Sequence, residues 1–242
     1  MKFDPPLLNG FLLRRYKRFL ADIRLADGSE ITVHCPNTGT MRGCSAPGSP
    51  AAISEAKNPR RKYHHTLEMV RMNGGWIGVN TALTNKLVME AVAAGRVSQW
   101  QDVEKMKAEV KISKETRLDL QLFHKDGSDT LVEIKNCSLA EAGCAMFPDA
   151  VTVRGTKHLR TLQALAAAGR KAAMLLLVQR MDAERFRPAW EIDPTYAAAF
   201  AEAQAAGVTI LVYQAEVNPT GIEVVRQLPL AGDEDFSGVP LI

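Results

Sequence analysis

Two acidic residues and one lysine, Asp119, Glu133 and Lys135, have the types and spacing that could do chemistry. Neighbouring carboxylates can hold Mg²⁺ or Mn²⁺ while the ion keeps several of its waters. Such an ion polarises a phosphoryl oxygen and lowers the pKa of a bound water. A nearby lysine could orient or deprotonate that water and offset charge in the transition state. The trio suits metal-assisted phosphodiester hydrolysis; the alternative is a cross-strand salt bridge on a solvated sheet face.

A β-hairpin is predicted to bring the trio together. Residues 116–136 read TRLDLQLFHKDGSDTLVEIKN, in which apolar and polar residues alternate on both sides of a glycine-containing turn. If both apolar rows face one core, residues of like parity lie opposite each other, which requires an odd-length loop such as Asp126-Gly127-Ser128. That register predicts Asp119 opposite Lys135 and diagonal to Glu133.

The hairpin resembles the core of the PD-(D/E)xK nuclease superfamily, with Asp119 as the first acid and Glu133-Ile134-Lys135 as the E-x-K. One departure is Leu118, which stands where that motif has proline. The chain from residue 10 to about 228 resembles the bacterial and archaeal sugar fermentation stimulation protein family. The resembling segments are PNTGTM at 36–41, NPRRK at 58–62, NT at 80–81, Asn85, EA at 90–91, TRLD at 116–119, VEIKN at 132–136, MFPDA at 146–150 and RGTKHL at 154–159.

This resemblance implies an α/β (α+β) chain with two units. Residues 1–80 are expected to form a small OB-like β-barrel. Residues 81–230 are expected to form a PD-(D/E)xK nuclease-like domain with a mixed central sheet flanked by helices, followed by a flexible tail over 231–242. The resemblance also implies a DNA partner. Two functions stay open: a Mg²⁺-dependent deoxyribonuclease, or a non-catalytic DNA-binding regulator of sugar (maltose) metabolism genes that keeps the nuclease fold.

Hydrophobic periodicity supports this division. Short strand patterns at 19–25, 31–35, 51–54, 67–72 and 76–79, separated by turns, predict a small barrel. From Thr84, which could cap a helix that ends at Gly95, the period becomes helical. Further predictions are connecting sequence at 104–110, a cleft-lining loop at 136–150, helices at 152–168 and 193–206, and buried strands at 173–178 and 208–213.

Basic charge is concentrated near the amino terminus. Through Lys62 the chain has eleven Lys and Arg against five Asp and Glu, a net +6, whereas the whole chain carries +3. Such clustering indicates a polyanion partner, with ordinary solvated surface as the alternative. Because aromatic residues are few, phosphates are expected targets rather than stacked bases. The predicted nucleic-acid-binding residues are Arg15, Arg18, Asn37, Thr38, Arg42, Arg60, Arg61 and Lys62, with Arg154 and His158 from a polar helix stripe.

The resemblance adds Glu90, on the helix before the hairpin, as an acidic metal ligand beside Asp119 and Glu133; the alternative is a solvated helix charge. The four cysteines have no C-x-x-C or zinc-site spacing, which predicts reduced thiols in the cytoplasm. No apolar run has the length of a membrane span and no signal peptide is recognisable, so no membrane partner is expected. Assembly is left open between a monomer and a homodimer.

Overall fold

The computed structural model describes residues 1–113 and 116–232, and its first unit is a β-barrel. The strands are β1 (Leu8–Tyr16), β2 (Leu20–Leu25), β3 (Glu30–His34), β4 (Pro50–Glu55), β5 (His65–Met72) and β6 (Gly75–Gly78). They lie in the order β3-β2-β1-β4-β5-β6, and a parallel contact between His34 and Thr66 closes β3 onto β5. The predicted OB-like barrel is confirmed.

Local sequence explains the barrel strands. Alternate side chains such as Leu12, Ile23 and Leu67 are fully buried in the barrel core, as period-two patterning requires. The β5–β6 turn places Asn73 and Gly74 at φ values of 52° and 79°, a conformation that Asn and Gly adopt readily. The predicted hairpin through this turn is therefore present.

The second unit is built on a six-stranded mixed sheet. Its elements are α1 (Thr84–Ala93), β7 (Val103–Lys111), β8 (Arg117–His124), β9 (Asp129–Cys137), β10 (Leu139–Glu141), β11 (Cys144–Phe147), α2 (Val153–Ala167), β12 (Lys171–Val178), β13 (Arg185–Pro188), α3 (Pro194–Ala205), β14 (Thr209–Asn218) and β15 (Gly221–Gln227). The sheet order is β15-β14-β12-β9-β8-β7, with β12 parallel to β9 and β14. Strands β10, β11 and β13 form a separate small sheet.

Both faces of the large sheet are covered by helices. Along β12, residues 173, 175 and 177 pack in one core cluster with α1, whereas residues 174, 176 and 178 pack in another with α2 and α3. A strand that is buried on both faces has an uninterrupted run of apolar residues, because neither face meets water. The predicted mixed sheet flanked by helices is confirmed.

Two segments depart from their predicted local structure. Residues 104–110, expected to connect elements, lie in β7, an edge strand whose exposed Lys and Glu side chains obscure the strand pattern and discourage pairing with other chains. Residues 136–150, expected to form a loop, contain the end of β9 and the β10–β11 hairpin. Strands of three and four residues are too short to show a period.

The predicted boundaries also change at the start of the chain. The first residues lie against the second sheet rather than in the barrel, because Lys2 bridges Gly221 and the Met1 amine donates to Ile222 O at 2.8 Å. The barrel range of 1–80 stays a prediction, with these first residues attached to the second sheet. Most of the predicted tail, residues 233–242, lies outside the described residues. Within the described ranges, no helix has the length and apolarity needed to cross a membrane.

Gly78 marks a close approach between the barrel and the second unit. Its N–H donates to Gln179 O at 2.9 Å, and Gln179 is fully buried. A Cβ added at Gly78 would lie 3.0 Å from both Cβ and Cδ of Gln179. Only a residue without a side chain fits here without displacing that glutamine.

We expect Gly78→Ala to lower the free energy of unfolding by about 1–3 kcal/mol, because the added methyl group overpacks the seam. Urea unfolding followed by circular dichroism measures this. The matched control is Gly75→Ala on the same strand, where an added Cβ meets nothing within 4 Å; its effect should stay within about 0.5 kcal/mol. Equal stability of the two variants would contradict a tightly packed seam.

Candidate functional site

A cleft of about 440 Å³ lies where the barrel meets the second unit. The barrel lines it with Arg18, Asn37, Thr38 and Gly39, and the second unit lines it with Asp119, Glu133, Lys135, Asn136, Asp149 and Arg154, among others. The structure therefore brings the predicted trio together with four of the predicted nucleic-acid-binding residues. Residues far apart in sequence converge because β8, β9 and the start of α2 face the β1–β2 turn and the loop after β3.

The hairpin that carries the trio is present, but its register differs from the prediction. Pairing between β8 and β9 continues up to Leu120 and Val132. The next residues in that register are Asp119 on β8 and Glu133 on β9, so the two acids lie opposite each other on neighbouring strands. The prediction that Asp119 lies opposite Lys135 is wrong by two residues along β9.

The turn explains this difference. His124 N donates to Ser128 O at 2.9 Å, so the loop between them is Lys125-Asp126-Gly127. Gly127 has a φ of 81°, which glycine adopts at low cost as the last residue of a three-residue hairpin loop. The predicted loop began one residue later. Both loops have odd length, so the faces of the strands were predicted correctly although the pairing was not.

The Asp119 carboxylate occupies the point where the ladder ends. Its Oδ2 accepts from Ile134 N at 2.8 Å, and its Oδ1 accepts from Asn85 Nδ2 at 3.0 Å. Burial raises the pKa of Asp119, and the adjacent Glu133 charge raises it further, against the lowering effect of these two hydrogen bonds. Ionisation of the Asp119 carboxyl therefore costs free energy, and a nearby cation would reduce that cost.

Glu133 is buried beside two basic side chains. It is 1% exposed, and its Oε1 contacts both Lys135 Nζ and His158 Nδ1. Lys135 Nζ also lies 3.3 Å from His158 Nδ1. Burial opposes ionisation of Glu133, but the hydrogen bond from His158 and the charge of Lys135 outweigh it, so the pKa of Glu133 lies below its usual value.

The oxygen donors of this site fit a divalent cation. Glu133 Oε2 is buried and has no hydrogen-bond partner among the described residues, and each Asp119 oxygen retains a lone pair beyond its one described bond. Two carboxylates completed by water are typical of Mg²⁺ and Mn²⁺ ligation. Among the described residues, no three His, Cys, Asp or Glu side chains converge as a metal-binding group, so water would complete the coordination shell. Asp119 and Glu133 are the residues that would hold the ion.

Glu90 is not part of this arrangement. Its carboxylate pairs with the Met1 amine at 3.0 Å and with Lys86 Nζ at 3.8 Å, and it does not line the cleft. Asn85, five residues earlier on α1, faces Asp119 instead. The prediction of Glu90 as a metal ligand gains no support from this geometry, because five residues along a helix turn its side chain to a different face.

Arg15 and Asn37, predicted to bind nucleic acid, are engaged within the protein. Arg15 donates to the carbonyl oxygens of Arg18, Asn37, Gly39 and Thr40 at 2.7–3.2 Å. Asn37 is buried, and its Oδ1 accepts from Gly39 N at 3.0 Å. Arg15 and Asn37 therefore stabilise the conformation of the loop after β3, and other residues of that loop line the cleft. Direct contact of Arg15 and Asn37 with nucleic acid stays a prediction.

The other predicted contacts fall into two groups. Arg18, Thr38 and Arg154 are exposed and line the cleft. Arg42, Arg60, Arg61 and Lys62 do not line it. Arg61 also contacts Thr66 Oγ1 and His34 Nδ1, each at 3.3 Å, and His158 is 6% exposed and bound to Glu133. His158 therefore acts inside the site, because its position on α2 turns it away from the exposed stripe.

Asp149 also lines the cleft, although the sequence pattern predicts no role for it. Its Oδ2 accepts from Met41 N at 2.9 Å and from Thr40 Oγ1 at 3.2 Å, and its main-chain carbonyl accepts from Thr40 Oγ1 at 2.7 Å. Gly39 approaches so closely that an added Cβ would lie 2.5 and 2.6 Å from the carboxylate oxygens. Asp149 thus fastens the barrel loop to the second unit. In the sequence, Thr40 and Asp149 belong to the segments PNTGTM and MFPDA, which the family resemblance includes. No rule of residue spacing predicts that these two segments meet.

Comparison with known proteins matches this architecture throughout the chain. Residues 13–79 match the SfsA N-terminal OB domain, and residues 82–221 match the sugar fermentation stimulation protein RE domain. Sugar fermentation stimulation protein homologues of Desulfotalea psychrophila and Geotalea uraniireducens are 50% and 45% identical, over 95% and 94% of this chain and 94% and 98% of their own lengths. The structure of Pyrococcus furiosus SfsA in complex with Ca²⁺ is similar with a TM-score of 0.88 at 25% identity, covering 96% of this chain and 98% of that one. This chain belongs to the sugar fermentation stimulation protein family.

Proposed function

We propose that this protein binds DNA in the cleft and hydrolyses its phosphodiester bonds with the help of Mg²⁺ or Mn²⁺. The observation that carries this proposal is the pair of opposed acids, Asp119 and Glu133, with Lys135 beside them in a cleft edged by arginines. The relative from Pyrococcus furiosus in complex with Ca²⁺ supports a divalent cation in this family. A cation bound there would polarise the scissile phosphate and lower the pKa of a bound water.

Side chains in and around the cleft bind phosphate, stabilise charge and position the two acids. Arg18 from the barrel and Arg154 from the second unit, both exposed, bind phosphates as planar donors of several hydrogen bonds. Lys135 places a positive charge where negative charge accumulates on the phosphate and can orient the attacking water. His158 holds Glu133 and Lys135 in position, because its Nδ1 lies next to both. Asn85 holds Asp119 through a hydrogen bond to Oδ1.

A second candidate is a DNA-binding regulator of sugar metabolism genes that does not cleave its target. One observation favours it: Lys135 and His158 are both bound to Glu133 Oε1, so the basic side chains already compensate the buried acid. In that case the acids and Lys135 would stabilise the cleft rather than catalyse a reaction. Both candidates use the same DNA-binding surface, and only cleavage separates them.

The metal site is tested by replacing Asp119. We expect Asp119→Asn to raise the melting temperature of the metal-free protein by about 2–4 °C, or about 1 kcal/mol, because burial and the Glu133 charge both disfavour a carboxylate there. Adding Mn²⁺ should stabilise the wild type and leave Asp119→Asn unchanged. The control is Glu90→Gln, which should respond to Mn²⁺ as the wild type does. A full response of Asp119→Asn to Mn²⁺ would show that the metal site is misplaced.

Catalysis is tested by incubating purified protein with Mn²⁺ or Mg²⁺ and end-labelled single-stranded, branched and duplex DNA. We expect cleavage by the wild type and by Glu90→Gln. Asp119→Asn, Glu133→Gln and Lys135→Ala should each reduce the cleavage rate at least 100-fold while keeping DNA affinity. If the wild type binds all three DNAs and cleaves none of them, the regulator is the correct candidate.

DNA binding through the cleft is tested by its dependence on salt. The logarithm of the affinity should fall linearly with the logarithm of salt concentration, with a slope set by the number of phosphates contacted. Arg18→Ala and Arg154→Ala should each reduce that slope by about 1. The control is Arg60→Ala, an exposed barrel arginine outside the cleft, whose slope should match the wild type. A larger effect of Arg60→Ala than of the two cleft variants would move the DNA path onto the barrel side.

A further inference from the structure

We propose that the turn Lys17-Arg18-Phe19 between β1 and β2 binds an unpaired nucleotide next to the cleft, so that single-stranded DNA is the preferred substrate. Arg18 would take the phosphate of that nucleotide, and the Phe19 ring would stack on its base. This inference rests on the proposed function, since it assumes that DNA occupies the cleft, and it adds which form of DNA enters. Three features of the turn support it.

The first feature is the bare aromatic ring of Phe19. Its side chain is 48% exposed, while Leu20, the next residue, is buried in the barrel. Among the described phenylalanines only Phe11 is comparably exposed, at 44%; it lies on β1 outside the turn, and neither ring is among the residues that line the cleft. A single exposed apolar residue is ordinary on a protein surface. Here, however, the ring directly follows Arg18, whose side chain lines the cleft.

The second feature is the backbone of the turn. Lys17 and Arg18 have φ values of 50° and 64°, in the left-handed region that favours Gly and Asn. Such conformations for residues with long side chains persist where the surroundings impose them, and they concentrate at sites that bind ligands. A hairpin that served only to join β1 and β2 could use Asn-Gly here. The chain instead places two cations at these positions.

The third feature is the rigidity of the turn. Arg15 Nη2 donates to Arg18 O at 2.7 Å, and Cys35 N donates to Phe19 O at 2.8 Å. The Arg18 side chain is fixed as well, since its Nε and Nη2 donate to Thr38 O at 3.2 and 2.8 Å. No described residue accepts from Arg18 Nη1, so that end of the guanidinium can bind a phosphate. The turn therefore presents a preorganised cation, and the next residue in the chain carries an exposed ring.

The chemistry of this pair selects unpaired nucleotides. A phosphate and the face of its own base are accessible together in a single strand, whereas in a duplex the base faces are stacked on their neighbours. Stacking between a base and an aromatic side chain tolerates any sequence, because every base has a π-face. A duplex would meet the same turn only through its phosphates. The Phe19 ring is therefore the residue that should distinguish the two forms.

The test compares the affinities of the full-length protein for single-stranded and duplex oligonucleotides of equal length and labelling, by fluorescence anisotropy at one salt concentration without divalent metal. The wild type should prefer the single strand. Phe19→Ala should weaken single-strand binding about tenfold and leave duplex binding unchanged, while Phe19→Trp should restore it. The matched control is Phe11→Ala, which removes an equally exposed ring from the same barrel and should bind as the wild type does. In Phe19→Trp, single-stranded DNA should also quench the fluorescence of the added indole.

The outcomes separate this inference from the proposed function. A wild type that binds DNA, with Phe19→Ala unchanged for the single strand or equally weakened for both forms, overturns the role of Phe19 and leaves the cleft intact as a DNA site. A wild type that binds neither form overturns both proposals. Thermal unfolding of each variant shows whether a lost affinity reflects lost folding; a folded Phe19→Ala with a selective defect supports the inference.

Discussion

The site depends on holding two buried carboxylates next to each other. Asp119 and Glu133 follow the last paired residues of two adjacent strands, where the Glu133 charge raises the pKa of Asp119 in addition to burial. Like charges in a poorly hydrated environment persist only when neighbouring groups compensate them. The two acids are compensated differently: Glu133 by Lys135 and His158, and Asp119 by one main-chain and one side-chain hydrogen bond. This asymmetry leaves Glu133 Oε2 without a hydrogen-bond partner in the part of the chain that the structure describes.

The barrel contributes a shaped edge to the same cleft. Arg15 is the centre of that edge, because one guanidinium binds the carbonyl oxygens of both the β1–β2 turn and the loop after β3. Four carbonyl groups that would otherwise repel one another are thereby held around a single cation. Arg18 and Thr38 are presented on this framework, and Asp149 connects it to the second unit. Of these two barrel arginines, Arg15 thus stabilises the loops that form the surface, and Arg18 lines the cleft.

Periodicity was sufficient to predict the elements with long regular patterns. The alternation in β8 and β9 gave the correct faces, and the buried strand β12 and helix α2 follow their apolar patterns. Tertiary contacts decided what periodicity could not. Glu90 and Asn85 share one helix, and only packing selects which of them meets Asp119. Arg15 and Arg18 are equally basic in sequence, yet Arg15 donates to four backbone carbonyl oxygens, whereas Arg18 donates to one and lines the cleft.

The contact between Gly39 and Asp149 has a consequence for recombining these proteins. Each half of the pair belongs to a different unit, and the space between them admits no side chain at residue 39. A chimaera that joins the barrel of one relative to the nuclease-like unit of another would therefore tolerate the exchange only when the glycine and the aspartate are inherited as a matched set.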